Sequence, residues 1–136
     1  MKKPVIYVFL ILMFTFSCGE KFIIVKCPDC HPVEPTTAHI LIKLEGSNNA
    51  IIRIYEGNLE DNVLLVSFGS SWSDAEYDVK LNRKYTFTAE YHDSNGNVYI
   101  AVDSILPRVK YDKTQCDEPC YYVYDKTVNL RIKYPL

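Results

Sequence analysis

Beyond its apolar beginning, the chain places hydrophobic residues at every second position in short runs separated by turn formers. That is the period of strands that bury one face. Residues 22–26 (FIIVK) predict a first short strand. Pro28, Pro32 and Pro35 then break the chain into a loop that lasts to Thr37, because proline fixes φ and removes a backbone donor. Ile40, Ile42 and Leu44 alternate with Leu41, Lys43 and Glu45, and 46–49 (GSNN) is a turn. Further strands are expected at 50–56 (AIIRIYE), at 63–68 (VLLVSF), and at 76–81, where Tyr77, Val79 and Leu81 share a side. The clearest alternation is 84–91 (KYTFTAEY): Tyr85, Phe87, Ala89 and Tyr91 face one way, Thr86, Thr88 and Glu90 the other. Period two fixes which of these faces meets a core. Asn95-Gly96 is a hairpin signal, since both residues tolerate positive φ, and 98–105 is the return strand. Pro107 ends that run; 109–111, 121–124 and 127–134 complete the set, with Asp125-Lys126 as a tight turn. The sequence offers neither a long amphipathic helix, as parallel α/β crossovers need, nor an internal repeat or linker. Short strands at regular spacing predict an all-β sandwich.

The beginning follows a different pattern. Lys2 and Lys3 precede ten apolar residues, 5–14 (VIYVFLILMF), and small Ser17 stands before Cys18. This is the order of a secretory signal: a basic region, an apolar core, and a small-residue junction. The apolar run is shorter than the ~20 residues of an ordinary spanning helix. The expected organisation is a signal peptide over 1–17, an anchored N-terminus over 18–21 and a single β-sandwich domain over 22–136. The 119 residues from Cys18 onward suffice for one core and not for two large ones.

Thr15, Phe16 and Ser17 before Cys18 resemble the lipobox of bacterial lipoproteins, in the looser form of Bacteroidetes. The resemblance implies lipidation at Cys18, by a diacylglycerol on the thiol and a palmitate-type acyl chain on the freed amine; the alternatives are ordinary cleavage nearby and an uncleaved anchor. Two or more chains hold a protein firmly on a bilayer, where one binds reversibly. The implied address is the bacterial cell envelope, at the outer membrane. Gly19-Glu20-Lys21 sets one acid beside one base and leaves the periplasmic or surface side open.

Residues 77–89 (YDVKLNRKYTFTA) resemble the E-strand, turn and F-strand of fibronectin type III domains. There a Leu ends strand E, and a Tyr four residues later opens strand F and bonds back through its hydroxyl. Leu81 and Tyr85 match those positions, and Asn95-Gly96 falls at the family's F–G turn. This chain has Asn82, Arg83 and Lys84 where the family has Pro-Gly. The resemblance covers roughly residues 22–105 and implies an immunoglobulin/fibronectin III-like sandwich. Residues 106–136 lie outside it and are expected as extra C-terminal strands, in a hairpin or at sheet edges.

Charge removes one class of partner. Fifteen Lys and Arg oppose seventeen Asp and Glu, a net charge of −2 that becomes −4 without Lys2 and Lys3. The charges are scattered, so no nucleic-acid footprint is expected. Five cysteines are present. With Cys18 lipidated, Cys27 and Cys30 remain near one end and Cys116 and Cys120 near the other. Outside the cytoplasm such a set reads as two disulfides. Of the three pairings two are crossed, and a crossed one is expected because it gives the C-terminal extension a reason to return. The alternative is tetrahedral zinc on the four thiolates, with His31 able to replace one. A redox-active CxxC fits less well, because it needs the first Cys at a helix N-terminus.

Constellations for catalysis are sparse. His31, His39 and His92 form no HExxH, and no GxSxG elbow occurs. Asp93, Asn95 and Asn97 around Gly96 faintly resemble a calcium loop but read as a hairpin turn. No catalytic residue and no cofactor is expected. Trp72, in the polar loop 69–74, is the candidate surface-binding aromatic; its bland alternative is a core plug under the sheets. The expected function is a membrane-anchored, non-catalytic binding or structural module of the envelope. Its partners would be the bilayer through Cys18 and envelope proteins or glycans. The alternatives are a cysteine-based zinc module and a fimbrial or assembly component that uses strand addition.

Overall fold

The computed structural model describes residues 23–46, 49–116 and 119–133. The signal segment and Cys18 lie outside the described residues. The described chain is all-β, with nine strands in three sheets. Strands β1 (Thr37–Lys43), β4 (Asp74–Lys80) and β9 (Thr127–Asn129) make one sheet in the order β4-β1-β9. Strands β2 (Ala50–Glu56), β3 (Leu64–Ser70), β5 (Tyr85–His92) and β6 (Val98–Ile105) make a second in the order β3-β2-β5-β6. Strands β7 (Arg108–Asp112) and β8 (Cys120–Tyr124) form a separate hairpin.

One core fills the space between the two larger sheets. From β1 and just beyond it come Ala38, Ile40, Ile42 and Leu44; from β2, Ala50, Ile52 and Ile54; from β5, Tyr85, Phe87, Ala89 and Tyr91; all are buried. All but Ala38 and Ala50 are alternating positions that the sequence pattern sets on one face of a strand, and burying the whole set is the main term holding the layers together. The hydroxyl of Tyr85 donates to Lys80 O at 3.1 Å and ties the start of β5 to the end of β4. Thr86 and Thr88, on the other face of β5, are buried as well. β5 is flanked on both sides, by β2 and β6, so neighbouring side chains cover its outer face. Thr86 Oγ1 finds a partner there in Gly57 O at 2.8 Å.

Four local expectations change. Residues 23–26 form no strand: Val25 N donates to the side-chain Oε1 of Gln115 at 3.0 Å instead of joining a ladder. Strand β3 begins at Leu64 and carries a bulge opposite Ile54 and Tyr55. The 93–97 hairpin has positive φ at Gly96 and not at Asn95. Gly96 N donates to Asp93 O, and Asp93 Oδ1 accepts from both Asn95 N and Asn97 N. That is a type I turn closed by a left-handed glycine rather than a primed two-residue turn. Finally, β8 and β9 do not pair with each other. Asp125 takes φ 57° and sends the chain from the small hairpin to the edge of β1, which β9 joins in parallel over Thr127–Asn129.

Candidate functional site

Local chemistry draws the N-terminal segment onto the C-terminal hairpin. Pro28 helps close a 3-10 turn at Cys27–Asp29, and Cys30 N donates to Cys27 O at 3.2 Å. The turn brings the two cysteines of the segment together. Across from it, Asp112 organises the loop after β7. Its Oδ1 accepts from Thr114 N and Gln115 N at 2.7 and 2.8 Å, and its Oδ2 from Gln115 Nε2 at 2.9 Å. The Gln115 and Thr114 amides hold its carboxyl below the usual range, because they stabilise the charged form. Gln115 is thereby aimed at Val25 N, and His31 exchanges two backbone bonds of 3.0 Å with Tyr121.

Two disulfides complete the junction. Cys27 joins Cys116 and Cys30 joins Cys120, with Cα–Cα distances of 5.7 and 4.9 Å. The pairing is one of the two crossed ones. What it staples is an irregular segment rather than a strand. The sulfurs cluster: Cys30 Sγ lies 3.7 Å from Cys116 Sγ of the other bridge, and the sulfurs of Cys30, Cys116 and Cys120 fall within 4.8 Å of one another.

Beside the staple lies an open groove of about 530 Å³ lined by Pro28, Cys30, His31, His39, Asp78 and Lys126 among others. His39 stands on the outer face of β1. Its Nδ1 is 2.7 Å from Asp78 Oδ1 and its Nε2 is 3.1 Å from Glu76 Oε2, both on neighbouring β4. Bonds to Asp78 first, and to Glu76, raise its pKa above 6.5. With both ring nitrogens held by carboxylates, His39 is arranged to carry charge rather than to take a proton from a substrate. Among the described residues, the histidine side-chain partners are carboxylates, His92 pairing with Glu90. This cluster was not legible along the chain, because Asp78 is 39 residues from His39. Only the β1–β4 register sets His39 opposite Asp78.

Trp72 sits in the short turn between β3 and β4 and is 77 % exposed, so it is not a core plug. Its backbone N donates to Ser70 Oγ at 3.2 Å. The registers place this turn, the end of β1, the start of β2 and the 93–97 hairpin at one end of the two larger sheets. The fold thus brings the four cysteines together at its stapled side and puts Trp72 at the loop end. No protein-family model matches the chain, and neither does any curated protein or solved structure. Among the described residues no helix is long and apolar enough to cross a membrane.

Proposed function

We propose that this chain is a lipid-anchored, non-catalytic binding or structural module of the bacterial cell envelope, held by Cys18 and presenting a β-sandwich to the aqueous side. The observation that carries the reading is the pair of crossed disulfides. Bridges between residues 89 and 90 positions apart belong to an oxidising compartment, where the signal-like residues 1–17 would deliver the chain. The bridges begin nine residues after Cys18, so they would pass a pull on the anchor to the C-terminal hairpin. An immunoglobulin/fibronectin III-like identity is part of the proposal. The order β3-β2-β5-β6 opposite β4-β1 and the Tyr85–Lys80 bond support it. On this view β9 takes the place of a first strand, arriving from the C-terminus. The loop end with exposed Trp72 is the proposed contact surface for an envelope protein or glycan, because exposed aromatics bind both.

The test is the intact mass of the protein taken from the membrane fraction of its bacterium, with and without reductant. The expected mass is that of residues 18–136 plus acyl chains, and reduction adds four hydrogens, two per bridge. A mass that retains residues 1–17 overturns the anchor. The sulfur cluster favours one second reading, a zinc site on the reduced thiolates. A metal carried in the native mass, with no shift on reduction, would make that the better account.

A further inference from the structure

Among the described residues, the second sheet ends at β6 in an open edge that lacks the usual devices against pairing. Strand β6 runs for eight residues in unbroken register with β5, from Val98↔His92 to Ile105↔Tyr85. Asp93 N donates to Asn97 O at the hairpin mouth, which makes that pair a bonded one. Bonded pairs alternate along an antiparallel ladder. Tyr99, Ala101 and Asp103 therefore spend their backbone groups on β5, whereas Val98, Ile100 and Val102 direct theirs to the open edge. The side chains of the same three residues stand on the outer face, 51, 62 and 52 % exposed. An edge strand of this kind, long, regular and aliphatic, is a template for another strand.

The other edges of the two larger sheets are protected. β3 is bulged and sets Ser67 and Gly69 opposite Arg53 and Ile51. β4 alternates Asp74, Glu76, Asp78 and Lys80 along its outer face, and β9 has three residues. From Val98 to Val102, β6 has no charge, proline or bulge.

We propose that this chain forms a two-fold dimer by antiparallel pairing of β6 with β6 of a second copy, which would join two four-stranded sheets into one. The occupant follows from self-complementarity. With the axis at Ile100, Val98 faces Val102 of the second copy, Ile100 faces its own mate, and Val102 faces Val98. The three outward-directed backbone positions of each copy fall opposite one another, so each unsatisfied donor and acceptor finds a partner. The aliphatic side chains meet as cross-strand pairs on one face. Asp103 faces Asn97 rather than another acid, so no like charges oppose each other within the paired span. The inference rests on the sandwich edge and not on the lipid anchor.

Sedimentation of the full chain in detergent micelles, over a range of protein-to-detergent ratios, tests it. The wild type is expected to be a reversible dimer. Ile100→Lys and Ile100→Glu each set like charges together on the axis and are expected to weaken association at least about tenfold. Mixing the two variants is expected to restore it, because Lys then faces Glu. Hydrogen exchange on the wild type needs no substitution: the amides of Val98, Ile100 and Val102 gain protection as dimer forms. A wild type that stays monomeric overturns the proposal. So does a dimer indifferent to Ile100→Lys, which is what association through residues 1–17 would give. Free exchange of those three amides in a dimer would do the same.

Discussion

The hydroxyl of Tyr91 donates to Leu130 O at 2.8 Å and accepts from Glu45 N at 3.1 Å. Both tyrosine and Leu130 are buried, so water is poorly placed to replace the lost group. Tyr91→Phe keeps the ring and its packing but leaves Leu130 O and Glu45 N without that partner. The expected cost is about 1–3 kcal/mol, read as a lower urea midpoint at unchanged slope. A loss within error of zero would mean that both groups find solvent. The inward position of Tyr91 was legible from the period-two pattern alone. Its two partners were not, because they lie 39 and 46 residues away and meet only when the sheets close.

Between elements, the β1–β4 pairing carries a pH-sensitive contact. His39 is flanked by Asp78 and Glu76, and its pKa in the folded state is raised. A raised pKa means that the folded state binds the proton more tightly than the unfolded state does. The contribution is therefore complete below the unfolded value near 6.5 and is lost as pH rises through the folded value. Thermal stability is expected to fall from pH 6 to pH 8 in the wild type by more than in His39→Gln. Parallel curves would show that the contact contributes nothing, as exposed ion pairs often do. The elements themselves were largely readable: β2 and β6 fall on the expected residues, and β1, β4 and β5 shift by a few positions. Residues 23–26 form no strand: strand propensity describes a residue's fit to a sheet and cannot say whether a neighbouring strand exists. In its place Gln115 offers a single side-chain oxygen.

At the scale of the whole molecule, the two bridges enclose nearly the same stretch of chain. Once Cys27 is joined to Cys116, closing Cys30 to Cys120 restricts only the short ring formed by 27–30 and 116–120. In the chain-entropy account a ring of that size contributes about 2–3 kcal/mol, and the first long loop about 4–5. Replacing either pair by serine is therefore expected to cost about 2–3 kcal/mol, and replacing both about 7. Urea unfolding of the full chain and its variants measures this non-additivity. Strictly additive losses would mean that each bridge acts through its local geometry and not through the loop it closes.

Local spacing was enough to read the all-β class, most of the inward-facing residues of β1, β2 and β5, and four cysteines in two close pairs. Each follows from spacing along the chain: a two-residue period allows one inward set, and cysteines three or four positions apart stay neighbours in any fold. The tertiary structure alone decided that β9 joins β1 in parallel and that Cys27 meets Cys116. It also decided that His39 lies between two carboxylates, that Trp72 stands in solvent and that β6 is the last strand of its sheet among the described residues. These depend on which strands become neighbours. That choice is made by burying the whole apolar set at once, and no local pattern along the chain encodes it.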